Sequence, residues 1–211
     1  MTKVLLRLLI SLMFVSASGI AVADPVKILA FGDSLTAGYG LKDNEAFPVK
    51  LEQALIAKGH DIVVINSGQS GDTTGAGLNR VDWALFDQPN AVILELGAND
   101  MLRGLPVAKA REHLSKIVDL FQAESLPILM AGMLASETYG REYKAEFDAV
   151  FPELAAEKEL MLYPFFLDGV AGDMALNQED GIHPTAEGID IIVANILPYV
   201  EEMLEGLATK P

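Results

Sequence analysis

Five short apolar runs recur along the 211-residue chain, and each gives way to a stretch whose apolar residues fall at helical spacing. The runs cover residues 26–31, 62–65, 91–96 and 127–131, with a weaker one at 160–163. The first four end at or near Gly32, Asn66, Gly97 and Gly132. Runs this short and this continuously apolar fit parallel strands covered on both faces. Between them, Phe47, Leu51, Ala54 and Leu55 share one helical face, and Leu78, Val81 and Leu85 another. Longer stripes follow, of Val107, Ala110, Leu114, Ile117, Val118 and Phe121, then of Tyr139, Tyr143, Phe147, Phe151 and Leu154. A final one holds Ile189, Ile192, Val193, Ile196, Leu197 and Val200. Such stripes are core faces. Strand and helix alternating in this way imply an α/β fold, a parallel sheet with helices on both sides joined by right-handed crossovers. Ligands of such sheets bind beyond the carboxyl ends of the strands.

The first 23 residues read as a secretory leader. Lys3 and Arg7 precede an apolar run over residues 8–15, and Ala21, Val22 and Ala23 offer small residues before Asp24. The apolar part falls short of the ~20 residues a membrane span needs. Residues 24–211 show no repeat, linker or second apolar span, so they are expected to form a single soluble domain. With the leader removed, 30 acidic and 13 basic residues leave a formal charge of −17. That balance repels nucleic acid and gives no pull towards anionic lipid. The chain has no cysteine, which excludes disulfides, thiolate nucleophiles and sulfur-based zinc sites.

The chemistry-bearing residues sit where the strands end. Residues 32–36 read Gly-Asp-Ser-Leu-Thr, a strand-to-helix turn with Ser34 at the sheet edge and Gly32 permitting a tight bend. Alone, Ser34 reads equally well as a helix cap. Residues 66–73, Asn-Ser-Gly-Gln-Ser-Gly-Asp-Thr, form a small-residue loop without the lysine of a phosphate-binding loop. Asn99, in Gly-Ala-Asn-Asp, can donate to an oxyanion or simply shape a turn. Residues 180–184 read Asp-Gly-Ile-His-Pro, with Pro184 suited to a first helical position and Asp180 able to reach a ring nitrogen of His183. The two other histidines, His60 and His113, fit surface positions better. Together the four loops supply a serine, a base with its orienting acid and hydrogen-bond donors, a complete set for acyl transfer.

These four blocks resemble the SGNH, or GDSL, hydrolases, with Ser34, Gly71, Asn99 and His183 at the defining positions and in the family's order. Further segments are similar to the exported thioesterase, lysophospholipase and arylesterase branch: residues 94–97, 102–104, 139–141 and 163–166. The resemblance implies a three-layer, flavodoxin-like sandwich on a five-stranded parallel sheet. It implies a Ser34–His183–Asp180 triad, with oxyanion donors at the Ser34 N–H, the Gly71 N–H and the Asn99 side chain. It also implies an acyl pocket bordered by residues 101–106 and 133–139, including Met101, Leu102, Leu105, Met133, Leu134 and Tyr139. The implied partner is a small acyl ester or thioester, acted on without metal or organic cofactor by an exported monomer, periplasmic or secreted. Competing expectations are a carbohydrate O-acetyl esterase, a non-catalytic lipid or glycan binder, and a metal-dependent phosphoesterase using Asp33, Asp100 and Asp180. Asp168 and Asp173 are alternative partners for the histidine. Asp33, Asp72 and Asp100 are expected to shape loops, and Arg80, Arg103 and Arg141 to be surface residues or to meet an anionic head group.

Overall fold

A computed structural model describes residues 24–208, so the expected leader lies outside the described residues. Five parallel strands form one sheet in the order β2-β1-β3-β4-β5: β1 (Val26–Gly32), β2 (Ile62–Gly68), β3 (Ala91–Glu95), β4 (Ile128–Ala131) and β5 (Met161–Tyr163). This is the doubly wound order of flavodoxin-like sheets, whose switch point lies between β1 and β3. β2 runs three residues past the expected end at Ile65. Its polar segment 66–68 continues the ladder with Ala30, Phe31 and Gly32, and backbone pairing is indifferent to those side chains.

The helices are α1 (Ser34–Ala37), α2 (Phe47–Ala57), α3 (Thr74–Leu78), α4 (Val81–Leu85), α5 (Ala98–Leu102), α6 (Val107–Ala123), α7 (Arg141–Glu157) and α8 (Ala186–Ala208). α2 packs against α8, while α6 packs against α3 and α7. The right-handed crossovers place these two groups on opposite faces of the sheet. Fully buried rings hold the layers together, Phe31 edge-on to Phe121 at 5.4 Å and Phe47 edge-on to Phe166 at 5.0 Å. Burying each such side chain contributes about 1.5–3 kcal/mol.

Three helix boundaries differ from the spacing. The Leu78, Val81 and Leu85 stripe breaks into α3 and α4 at Asn79 and Arg80, because the Arg80 side chain turns inward to bond the strand ends. Tyr139 belongs to a short 3₁₀ turn before Gly140, although its ring still continues the aromatic row of α7. Pro184 is not the first residue of α8. It bridges Asn177 in antiparallel fashion, and Thr185 caps the helix by accepting from the Gly188 N–H.

Candidate active site

Ser34 stands one residue beyond β1 and opens α1, a single turn whose cap is the intervening Asp33. The Asp33 carboxylate accepts from the Leu35 N–H at 3.0 Å. The chain before α8 folds back on itself. The Gln178 N–H donates to the His183 carbonyl at 2.7 Å, and the Thr185 N–H to that of Leu176 at 2.8 Å. This hairpin-like loop aims His183 at Ser34, 149 residues away, with Nε2 at 2.9 Å from Oγ. Asp180 Oδ2 lies 2.6 Å from His183 Nδ1, and Oδ1 accepts from the N–H groups of Ile182 and His183. A carboxylate only accepts, so Nδ1 carries the proton and Nε2 is left to accept from the serine hydroxyl. The His183 backbone and ring N–H groups hold the Asp180 carboxyl down at about 2. Asp180, rather than Asp168 or Asp173, is therefore the carboxylate on the imidazole.

The two loops are also tied to each other. The Gln178 side-chain amide donates to the carbonyls of Tyr39 and Pro184 at 2.8 and 2.9 Å. The Tyr39 ring lies tilted against the His183 ring, with centroids 4.5 Å apart.

Asn99 sits in the first turn of α5, after β3, and its Nδ2 donates to Asp33 Oδ2 at 3.1 Å. An amide nitrogen has two hydrogens, so this bond uses one of them, and Asn99 lines the cleft. Gly71 borders the same cleft with φ +86°, a conformation that side chains rarely adopt, and its carbonyl accepts from Arg103 at 2.7 Å. The cleft holds about 710 Å³. Met101, Leu102, Met133, Leu134 and Tyr139 line it with Ser34 and His183, as do Phe165, Leu167 and Ile182. The arrangement can take a proton from a hydroxyl and pass it on beside an apolar trough.

The remaining carboxylates are committed elsewhere. Asp100 accepts from the Thr74 N–H and hydroxyl, both at 2.7 Å, and Asp72 pairs with Arg80 at 2.6 Å. Asp33, Asp100 and Asp180 thus each serve a separate set of donors, and a phosphoesterase centre built on them has no geometric support.

A family model for GDSL-like lipases and acylhydrolases matches residues 30–191. The chain belongs to this family. An arylesterase of Vibrio mimicus is 38% identical over 185 residues, covering 87% of this chain and 92% of the relative. A thioesterase 1/protease 1/lysophospholipase L1 of Escherichia coli K12 is 39% identical over 169 residues, covering 79% of this chain and 78% of the relative. The solved structure of AlinE4, an SGNH-hydrolase family esterase, shares 46% identity over 86% of this chain and 98% of its own, with a TM-score of 0.73.

Several expectations need correction within this GDSL-family framework. Leu105 stands outside the cleft lining. It follows the turn after α5, where its N–H bonds the Asp100 carbonyl and its own carbonyl accepts from the Tyr143 hydroxyl. His113 is only partly exposed, and its ring is engaged, with Nδ1 3.2 Å from the Thr74 hydroxyl. Arg80 is no head-group ligand, being bonded to Asp72, the Ser67 carbonyl and the Gly32 carbonyl, and stacked 4.0 Å over Phe31. Gly32 has no positive φ, so a tight bend is not what requires glycine there.

Two residues at the site escaped sequence reasoning. Tyr39 could have been found only by knowing that the α1 turn brings it back over the serine. Glu95 carried a signal, being the sole charged side chain in an otherwise apolar strand. It is fully buried, and that burial pushes its carboxyl well above the ordinary carboxylate range. Burial likewise raises Asp33 to about 6.

Proposed function

We propose that this GDSL-family hydrolase, an enzyme of the esterase class, cleaves carboxylic esters and thioesters of acyl chains through an acyl-enzyme on Ser34. One observation carries the proposal. The Ser34 hydroxyl, the His183 ring and the Asp180 carboxylate form an unbroken hydrogen-bonded row, 2.9 and 2.6 Å, at the wall of a 710 Å³ apolar cleft. Related proteins named as an arylesterase and as a thioesterase/lysophospholipase support the same chemistry.

In this scheme His183 Nε2 takes the Ser34 proton as Oγ bonds to the acyl carbon, and the carbonyl π electrons move onto oxygen. Asp180 steadies the imidazolium that forms. The oxyanion is met by the Ser34 N–H, the Gly71 N–H and the free hydrogen of the Asn99 amide. Collapse breaks the bond to the leaving alkoxide or thiolate, which takes the proton from His183. Water, deprotonated by His183 in turn, releases the acid and restores Ser34. The scheme uses no metal or organic cofactor. The apolar lining, from Met101 and Met133 to Phe165, suits an acyl chain better than a sugar.

The enzyme acts as a monomer on a small-molecule substrate. The leader over residues 1–23 exports it to the periplasm or beyond, so amino-terminal sequencing of the exported protein should begin at Asp24. Among the described residues no helix is long and apolar enough to cross a membrane.

A fluorophosphonate probe tests the central claim. Wild type should gain the phosphonyl mass on Ser34 and lose hydrolysis of p-nitrophenyl octanoate, while Ser34→Ala should neither label nor hydrolyse. A folded wild type that stays unlabelled and inactive refutes the reading and leaves a lipid binder in its place.

A further inference from the structure

Behind the serine turn lies a carboxyl group that the scheme above does not use. Glu95 closes β3 beside Gly32, with which it is in register. One of its oxygens, Oε2, accepts from the Thr36 hydroxyl at 2.8 Å and from the Asp33 N–H at 3.3 Å. These two donors stand on either side of Ser34 in the chain. The other oxygen, Oε1, is buried and has no hydrogen-bond partner. Among the described residues, no ion pair reaches Glu95. A fully buried carboxylate with one oxygen unpartnered and no ion pair is costly to keep charged, so burial favours the neutral acid.

Gly32 supplies an independent sign that the contact is built in. A Cβ added there would fall onto Thr36 Oγ1 and Glu95 Oε2. The glycine before Asp33 and Ser34 thus leaves the space in which a neighbouring strand's side chain reaches beneath the turn. Asp33 extends the linkage. Its backbone is held by Glu95, one of its carboxylate oxygens caps α1, and the other holds the Asn99 amide. The nucleophile and an oxyanion donor are therefore fixed through one buried chain of bonds.

We infer that Glu95 is a positioning residue for the reaction at Ser34, a neutral acid that clamps the serine turn through Thr36 and the Asp33 N–H, and that Gly32 is glycine to admit it. The inference rests on the Ser34 reading. What the clamp supplies is orientation: the Ser34 hydroxyl and N–H face the cleft together, a geometry whose loosening by about 1 Å can cost on the order of 10²-fold in rate. Substrate binding along the distant apolar wall does not depend on it.

The test compares Glu95→Ala, Glu95→Gln and Thr36→Val with wild type for kcat, KM, folded circular dichroism and the rate of fluorophosphonate labelling. Glu95→Ala should lose at least tenfold in kcat and in labelling rate, with KM within about twofold. Glu95→Gln, which keeps a neutral acceptor at Oε2, should restore most of that loss. Thr36→Val, which removes one clamp without opening a large cavity, should lose three- to tenfold in kcat and keep KM, and it decides the matter if Glu95→Ala does not fold. Wild-type rates in both truncations overturn the inference. So does a Gln variant as slow as the Ala variant, since a charge would then be what matters. Failure of wild type itself to label would instead sink the Ser34 reading.

Discussion

The dimensions of the cleft turn acyl-chain length into a measurable slope. Removing one methylene from water contributes about 0.8 kcal/mol when burial is complete. The cleft is a trough open along one side, so about half of that applies, roughly 0.4 kcal/mol or twofold in kcat/KM for each carbon. From acetyl to octanoyl the series adds six methylenes, which multiply to roughly 60-fold. Saturation should appear once the chain passes the end of the wall formed by Met133, Leu134 and Tyr139. The assay is the initial rate of p-nitrophenolate release along a series of p-nitrophenyl esters, so that the leaving group and the attack step stay constant. Met133→Ser, which places a hydroxyl against the chain, should flatten the slope by lowering octanoyl turnover more than acetyl turnover. A kcat/KM that stays level or falls from acetyl to octanoyl refutes the reasoning and favours an O-acetyl esterase.

Other consequences follow from the same geometry. Asp180→Asn leaves the imidazole without its tautomer-fixing acceptor and should reduce kcat by about 10⁴-fold, whereas Asp168→Asn should retain activity; the reverse pattern overturns the assignment. Asn99→Ala, read by steady-state kinetics, should lose about 10²–10³-fold in kcat. In stability, Glu95 and Asp33 act with one sign and Asp180 with the other. The raised carboxyls keep their protons in the fold, so their contribution is present below the ordinary carboxylate range and is lost as pH rises, for Asp33 from 3.8 through about 6. Asp180, lowered from 3.8 to about 2, contributes above that window and loses its contribution as pH falls through it. Urea midpoints of wild type and Glu95→Gln at pH 4 and pH 8 should therefore diverge, with the Gln variant gaining at pH 8. A constant gap would show that Glu95 is not held neutral.

The sheet and the residues of the Ser34–His183–Asp180 hydrogen-bonded row were legible because both rest on local patterns. Apolar runs of strand length announce buried parallel strands. A serine, an asparagine and a histidine at three strand or loop ends announce a shared edge once the sheet is accepted. What stayed hidden depends on packing between distant segments. Residues 66–68 look like loop by composition, yet they are strand because β1 offers them a ladder. Arg80 looks like a surface cation and is instead enclosed by strand-end carbonyls that only the fold assembles. Leu105 has the apolar character of a pocket residue, but the turn after Gly104 carries it past the cleft. Gly32 has the look of a bend, and its actual reason, room for Glu95 and Thr36, requires knowing which strand lies alongside.

The seven-residue strand β1 has Val26 at one end and Gly32, next to Ser34, at the other. At about 3.3 Å per residue that is a separation of roughly 20 Å across the thickness of the molecule. A support, carrier protein or affinity tag joined ahead of Val26 therefore attaches on the side facing away from the trough. Immobilised through that end, the enzyme would present its open side to the medium, and bulky esters could reach it as freely as they reach the enzyme in solution.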